Sequence, residues 1–91
     1  MTSRSVEPRL SFTADAWDDY VFWAESDRGM LRRINRLIRD TLAEPFAGIG
    51  KPEPLKHALA GCWSRRIDQE HRLVYFYEAG HLVILQCRYH Y

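Results

Sequence analysis

The chain has 91 residues, of which 46% are hydrophobic and 27% charged, a composition that supports one globular core and excludes a disordered protein. No apolar run approaches the roughly 20 residues of a membrane span, the start lacks a signal-peptide pattern, and two cysteines are too few for a disulfide framework, so we predict a cytoplasmic protein with no membrane partner. Residues 51–91 carry a net charge of +2 against −1 for residues 1–50, an asymmetry that favours a polyanionic ligand for the second half.

Two helices are predicted in the first half of the chain. Residues 1–8 form a predicted loose lead-in to a single domain over residues 9–91, and alternating polar and apolar residues predict a strand at 9–13. Thr13 is a suitable N-cap for the first helix, and Ser26 or Asp27 can start the second, so the pair is expected to form an antiparallel hairpin. Apolar residues recur at helical spacing in two sets, which are Trp17, Tyr20, Val21 and Ala24, then Leu31, Ile34, Ile38 and Leu42.

The second half of the chain is predicted to form a sheet after a long loop. Pro45 is expected to end the second helix, and residues 45–61 form a Pro/Gly-punctuated loop with one helical turn near 55–59. Strands follow, separated by hairpin-length turns, at 62–67, 71–77 and 81–89. This order of elements predicts an α+β fold in which an N-terminal helical hairpin packs on one face of an antiparallel β-sheet.

The loop string "KPEPLKH", residues 51–57, contains both lysines of the chain around a lone glutamate, Glu53. Cleavage of RNA without a metal needs a base for the 2′-OH, a cation for the phosphate oxygens and an acid for the departing 5′-oxygen. Glu53, Arg72 and His90 are available for these three roles, although spacing alone does not bring them together. The predicted strands carry the mostly cationic residues Arg65, Arg66, Arg72, Arg88 and His90. Arginines and aromatic residues on a half-open sheet fit binding of single-stranded RNA equally well.

Each of these residues also has a purely structural interpretation. Glu53 between two prolines fits a solvated turn, and His90 fits a frayed chain end. Arg72 is able to pair with Asp68 or Glu70 at the surface, which would add little stability. Strand parity places Arg72 with Val74 and Phe76 but does not say whether that set is exposed.

Three other patterns carry no functional prediction. Cys87 and His71 lack the paired spacing of a zinc site, so no metal is expected. "GIGK" resembles the end of a phosphate-binding loop, but Pro52 replaces the required Ser or Thr. The helical series Arg28, Arg32 and Arg36 is interpreted as a solvated helix face.

Longer strings narrow the choice, because several of them resemble one family in order along the chain. They are "WDDYVFW" (17–23), "INRLIRDT" (34–41), "KPEPLKH" (51–57), "G-x-WSRRI" (61–67), "EHRLVY" (70–75) and "CRYHY" (87–91). Together they resemble the YoeB/Txe toxins of bacterial type II toxin–antitoxin systems, which belong to the RelE-like ribonuclease superfamily. The resemblance covers about residues 10–91 and implies a microbial-ribonuclease-like (RelE/YoeB-like) fold.

The resemblance also implies an activity and partners. Toxins of this kind are endoribonucleases that use 2′-OH transesterification without metal or cofactor and cleave messenger RNA in the ribosomal A site. A cognate YefM-like antitoxin is expected to hold the toxin inactive and to repress operator DNA together with it, and a homodimer is a further expectation. The competing interpretations are a non-catalytic ribosome- or RNA-binding inhibitor of translation, and a protein that acts only as half of a repressor complex.

Matching the family motifs to this chain assigns roles to its site residues. By resemblance, Glu53 is the general base, Arg72 stabilises the phosphate and His90 is the general acid. Tyr91 helps to position the substrate, and Lys56 and Arg66 are supporting cations. Three residues complete the predicted substrate-binding set: Lys51, which adds positive potential, and His57 and Glu70, to which no firm role is assigned.

Overall fold

Over residues 7–90, the part of the chain that the computed structural model describes, two α-helices pack against one face of a five-stranded sheet. The helices are α1 (Ala14–Ser26) and α2 (Arg28–Ala43). The strands are β1 (Arg9–Phe12), β2 (Glu53–Pro54), β3 (Trp63–Arg66), β4 (Arg72–Glu78) and β5 (His81–Gln86), in the spatial order β1-β5-β4-β3-β2. Residues 1–6 of the predicted lead-in and Tyr91 lie outside the described residues, so a division of the chain at residue 8 stays a prediction.

The predicted helical hairpin is confirmed, and its caps follow the sequence. The hydroxyl of Thr13 accepts a hydrogen bond from the backbone N–H of Ala16 (3.1 Å), which satisfies a free donor at the start of α1. Asp27 ends α1 and also begins α2, where its carboxylate accepts from the N–H of Met30 (3.1 Å). The helices run antiparallel, since Tyr20 and Asn35, at similar distances on either side of Asp27, are joined by a 2.6 Å hydrogen bond. None of the helices in residues 7–90 is long and apolar enough to cross a membrane.

The predicted α+β class is confirmed, while the sheet differs from the prediction in one pairing. Strands β2 to β5 are antiparallel, but β1 pairs with β5 in parallel, from Arg9 opposite His81 to Phe12 opposite Ile84. The chain must cross over through both helices before it reaches β5, and a crossover of this length permits parallel pairing. The period-2 pattern of residues 9–13 carries no information on strand direction.

Pro45 ends the second helix, as predicted: α2 stops at Ala43, because the residue before a proline is disfavoured in helical conformation. The end of the last strand differs from the prediction, for a local reason. Strand β5 ends at Gln86, not at residue 89, since Cys87 bonds to α1 instead of to β4. The backbone N–H of Cys87 donates to Asp19 (3.1 Å) and its carbonyl accepts from the indole of Trp23 (2.8 Å).

The core lies between the helices and the face of the sheet that carries Leu73, Tyr75, Leu82 and Ile84, all of which are fully buried. Because side chains alternate along a strand, Arg72, Val74 and Phe76 lie on the opposite face. The sequence left open which face of the sheet the helices cover, and the structure answers this. Arg72 belongs to the face that the helices do not cover, which we call the open face and which consists of Glu53, Ser64, Arg66, Arg72, Val74, Phe76, Val83 and Gln86.

Candidate active site

Strand register places the acidic and basic candidates of the open face in neighbouring rows. Glu53 pairs with Ser64, and Ser64 pairs with Val74, so these three form one row across β2, β3 and β4. Arg66 pairs directly with Arg72 in the next row. From ideal strand spacing, the backbones of Glu53 and Arg72 lie about 12 Å apart, which two long side chains can largely bridge.

The two arginines make this part of the open face suited to an anion. Directly opposite side chains on neighbouring strands lie close together, and like charges there destabilise the pairing. Arg66 is exposed and Arg72 half-buried, so both guanidinium groups can reach a ligand from solvent. A phosphate placed between them would remove the repulsion and gain charge-assisted hydrogen bonds.

Arg72 is held by backbone carbonyls of the turn that precedes it. Its guanidinium Nη1 donates to the backbone carbonyls of Asp68 (3.0 Å) and His71 (3.3 Å). The Asp68 carboxylate accepts from the N–H groups of Glu70 (2.8 Å) and His71 (2.7 Å). Partial burial acts to raise the pKa of Asp68, but these amide hydrogen bonds outweigh it and leave the pKa below its ordinary value.

The loop before Glu53 is organised by a buried arginine that the sequence analysis placed among the cations of the sheet. Arg65 lies on the helix-facing side of β3 and is fully buried. Its signal in the sequence was parity, because Trp63 and Ile67 share its face and are apolar. Its guanidinium group donates to five oxygens, those of Asp40 Oδ2 (2.6 Å), Tyr75 Oη (3.3 Å) and the carbonyls of Ile49 (3.1 Å), Ala47 (2.8 Å) and Glu44.

Asp40 completes this arrangement, which we call the Arg65 clasp. The backbone N–H of Ile49 donates to its carboxylate (3.0 Å), and this bond, followed by the Arg65 contact, lowers the pKa of Asp40. A carboxyl whose pKa is lower in the folded state adds stability above its unfolded-state pKa. That contribution is lost as the pH falls through the folded-state value, so the clasp is fully formed at neutral pH.

Gly48 is needed for the clasp to close. Its φ is 119°, and a Cβ atom there would lie 2.1 Å from the carboxylate of Asp40. We expect Gly48→Ala to lower the free energy of unfolding by about 1–3 kcal/mol through backbone strain and displacement of Asp40. Denaturant unfolding checks this, with Gly61→Ala as the matched control, because Gly61 also has a positive φ (95°) but no atom within 4 Å of its Cβ position. Equal losses in the two variants would contradict a role for the contact with Asp40.

Strained backbone coincides with the predicted site residues. Within residues 7–90 the non-glycine residues with positive φ are Lys51 (52°), His57 (59°), Ala79 (51°) and Tyr89 (67°). Two of them, Lys51 and His57, are predicted site residues, and Tyr89 directly precedes His90. Such conformations cost free energy and concentrate at functional sites. The loop from Lys51 to His57 is therefore built for a specific shape.

The remaining candidate residues lie in two hollows and in the segments beside them. A hollow of about 330 Å³ beside β2 is lined by Glu53, Pro54, Leu55, Lys56, His57 and Leu59, so three predicted site residues share it. Lys51 is exposed at the start of the same loop, and Glu70 lies in the turn before Arg72. His90 lines a second hollow of about 280 Å³ at the end of β5, with Gln86, Arg88 and Tyr89. Tyr91 lies outside the described residues.

His90 follows a segment that is anchored, not frayed. The carbonyl of Tyr89 accepts from the backbone N–H of Arg72 (3.0 Å), which places His90 one residue beyond the start of β4. The guanidinium group of Arg88 lies 3.5 Å from the ring centroid of Phe22, a cation–π contact with α1. The candidate residues therefore lie in three neighbouring places: the Glu53 hollow beside β2, the arginine row of β3 and β4, and the hollow that His90 shares with Asp15 and Asp19 of α1.

The structure gives the two cysteines no chemical role. Both are free, and the thiol of Cys87 is fully buried against the carbonyl of Ala16 (3.7 Å). Burial, with a smaller effect of Asp19, raises the pKa of Cys87 to about 12, so the reactive thiolate is scarce at neutral pH. Among residues 7–90, no three His, Cys, Asp or Glu side chains are grouped so that they could hold a metal ion.

Known toxins of one family are similar to this chain along nearly its whole length. The family model described as "YoeB-like toxin of bacterial type II toxin-antitoxin system" matches residues 12–91. Toxin YoeB of Streptomyces coelicolor is 61% identical over 83 residues, which cover 91% of this chain and 99% of the relative.

Two solved structures from Staphylococcus aureus extend the likeness to the fold. The YoeB dimer has a TM-score of 0.87 at 41% identity, and the heterotetrameric YoeB–YefM complex has a TM-score of 0.86 at 41% identity. Each alignment covers 93% of this chain and 99% of the other, so the expected microbial-ribonuclease-like fold is confirmed. On these matches, the chain belongs to the YoeB family of toxins of bacterial type II toxin–antitoxin systems.

Proposed function

We propose that this toxin is a metal-independent endoribonuclease that cleaves messenger RNA in the ribosomal A site and so inhibits translation. The observation that carries the proposal is the Arg66–Arg72 pair on the open face, with Glu53 in the adjacent row. A like-charge pair that costs stability in the free protein is accounted for by an anionic ligand. The membership of the YoeB family supports the choice of RNA over other phosphate ligands.

In the proposed reaction, each proton transfer and each developing charge is served by a side chain of the candidate site. Glu53, exposed in its hollow, takes the proton of the 2′-OH, and the 2′-oxygen attacks the adjacent phosphorus. Arg72 and Arg66 stabilise the negative charge on the phosphate oxygens. His90 donates a proton to the departing 5′-oxygen, which leaves a 2′,3′-cyclic phosphate on the upstream fragment. No step in this sequence needs a metal.

Supporting roles follow from position. Lys56 and His57 share the hollow with Glu53, and Lys51 adds positive charge at the loop's start, so all three favour a polyanion there. Tyr91 completes the set by positioning the substrate, and Glu70 acts through the turn that holds Arg72.

The mechanism predicts a characteristic response to metal removal and to substrate chemistry. With EDTA at concentrations that chelate free divalent ions, we expect cleavage of a purified RNA to continue at an unchanged rate. A single 2′-deoxy substitution at the cut site should abolish cleavage, because it removes the nucleophile.

The measurement is gel analysis of labelled messenger with mapping of the 3′ end. The matched control carries the 2′-deoxy group one nucleotide away from the cut site and should be cleaved normally. Loss of activity in EDTA that zinc or magnesium restores, or cleavage of the 2′-deoxy substrate, would contradict the mechanism.

Partners of this chain are part of the same proposal. The Staphylococcus aureus structures are of a YoeB dimer and of a YoeB–YefM complex, and we extend both to this toxin as a homodimer and a YefM-like antitoxin. Toxin and antitoxin together bind operator DNA and repress their own transcription. Because the substrate is ribosome-bound messenger, the site of action is the cytoplasm.

One observation favours a second candidate, a ribosome-binding inhibitor that does not cut. Helix α2 presents exposed arginines on one side, three of which line a shallow hollow of about 690 Å³: Arg32, Arg36 and Arg39. A basic surface of this kind can hold RNA phosphates without catalysis. Primer extension on stalled messenger separates the two, since the non-catalytic inhibitor leaves the messenger full-length.

A further inference from the structure

A buried histidine outside the proposed catalytic set contacts the segment that carries His90. His71 is only 8% exposed, and its ring lies edge-on against Trp23 of α1, with centroids 4.9 Å apart. On its other side it faces the ring of Tyr89, with centroids 5.9 Å apart. His71 therefore lies between helix α1 and the segment that leads to His90.

The hydrogen bonds of His71 fix its protonation state in the structure. The backbone N–H of Tyr89 donates to His71 Nδ1 at 2.7 Å. An amide N–H is only ever a donor, so Nδ1 carries no proton and the ring is neutral with its proton on Nε2. Nε2 faces Glu70, whose Oε1 lies 3.5 Å away.

This bond acts on a residue whose conformation needs support. Tyr89 has a φ of 67°, a left-handed conformation that is unfavourable for a large side chain. Its carbonyl accepts from the N–H of Arg72 (3.0 Å) and from the amide of Gln86 (3.3 Å). The hydrogen bond from the Tyr89 N–H to His71 is therefore the third that holds this bend, and the next residue in the chain is His90.

We propose that His71 is a positioning residue: as a neutral imidazole, it holds the left-handed bend at Tyr89 and thereby sets the place from which His90 donates its proton. The inference rests on the proposed function, because it concerns the acid of that reaction. His71 itself does not touch the substrate. It also connects the two halves of the site, since its carbonyl accepts from the guanidinium group of Arg72.

The arrangement imposes opposite protonation requirements on two histidines. Protonated His71 would carry a proton on Nδ1, pointed at the N–H of Tyr89, and the bond would be lost, whereas His90 must be protonated to act as an acid.

Two substitutions separate the hydrogen bond from the bulk of the ring. In His71→Asn, the side-chain oxygen can take the place of Nδ1 as acceptor, whereas His71→Leu fills similar space without an acceptor. We expect the Leu variant to lower kcat by about 10²-fold with little change in KM, the size expected for a small displacement of a catalytic group. The Asn variant should keep most of the activity.

His81→Leu is the matched control, because His81 is a half-buried histidine of β5 whose ring bonds to Ser11 (2.7 Å) in β1 and not to the segment before His90, and this variant should cleave at the wild-type rate. A readout independent of activity accompanies the kinetics. ¹⁵N NMR should show the Nε2–H tautomer of His71 in the wild type, and the Tyr89 amide should exchange faster in the Leu variant. Denaturant unfolding identifies any variant that has simply lost its fold.

The outcomes separate this inference from the proposed function. A folded His71→Leu variant that cleaves at the wild-type rate, or a proton found on Nδ1, would overturn the positioning role alone. Messenger left uncut by the wild-type toxin would overturn the proposed function and the catalytic part of this inference together. A lower kcat in the His71→Leu variant together with near-normal activity in the His71→Asn variant would support the positioning role.

Discussion

Alanine in place of Glu53, Arg72 or His90 is expected to lower the rate of messenger cleavage by about 10²–10⁴-fold for each residue, while the protein stays folded. The loss is large because each group meets a charge that appears only in the transition state. The fold should survive because Glu53 and His90 are exposed and Arg72 is half-buried on the open face, away from the core. Glu53→Gln tests the base more closely, since it keeps the shape of the side chain but not its proton affinity.

The measurement is single-turnover cleavage of ribosome-bound messenger in a translating extract, with unfolding curves for every variant. Glu78→Ala is the matched control, because Glu78 is an exposed carboxylate at the far end of β4. Combined variants should lose little more than the single ones, as expected for groups that act as a unit. Full activity in all three alanine variants would refute the assignment of the site.

Arg65→Ala is expected to lower the free energy of unfolding by about 3 kcal/mol, the lower end of the range for breaking a buried ion pair. The lower end applies because its partner Asp40 keeps 32% of its side chain exposed, whereas Arg65 is completely buried. The substitution also leaves the carbonyls of the loop from Glu44 to Ile49 without their donor. Thermal and denaturant unfolding measure the loss.

Arg66→Ala gives the matched comparison, because the two arginines are adjacent in sequence but lie on opposite faces of β3. Removing Arg66 should leave stability nearly unchanged, or raise it slightly by ending the repulsion with Arg72, and should weaken cleavage. Arg65→Ala should lose stability first, and activity only as the Glu53 loop becomes disordered. The reverse pattern, a stable Arg65→Ala and an unstable Arg66→Ala, would contradict the assignment of the faces.

Much of the fold could be predicted because local signals and tertiary structure agree. Thr13 and Asp27 are good caps with apolar stripes behind them, and both helices begin where those caps indicate. The hairpin strands β4 and β5 begin within one residue of their predicted starts. The parallel pairing of β1 and the two-residue strand β2 (Glu53–Pro54) were not predictable, because each depends on the position of a partner strand distant in sequence.

Some residues of the candidate site could likewise be named from the sequence, and others could not. Motif resemblance named Glu53, Arg72 and His90, and strand register places the first two in neighbouring rows of one face. Their catalytic roles stay predictions, to be tested by the substitutions above. The supporting residues were missed: Arg65 was grouped with the surface cations, and His71 entered only as a rejected zinc ligand. Both act through burial and backbone contacts, which composition and spacing do not reveal.

The two helices, the three longer strands of the second half, the family and the candidate groups for the chemistry could all be named from the sequence, because caps, periodicity and motif strings are local properties. Only the tertiary structure decided which face of the sheet carries Arg72, why Arg65 points inward while Arg66 points out, and how His71 comes to hold the residue before His90. Those outcomes depend on strand register and on hydrogen bonds between segments far apart in the chain, such as Trp23 to Cys87. Burying one face against the helices fixes the direction of every strand side chain at once.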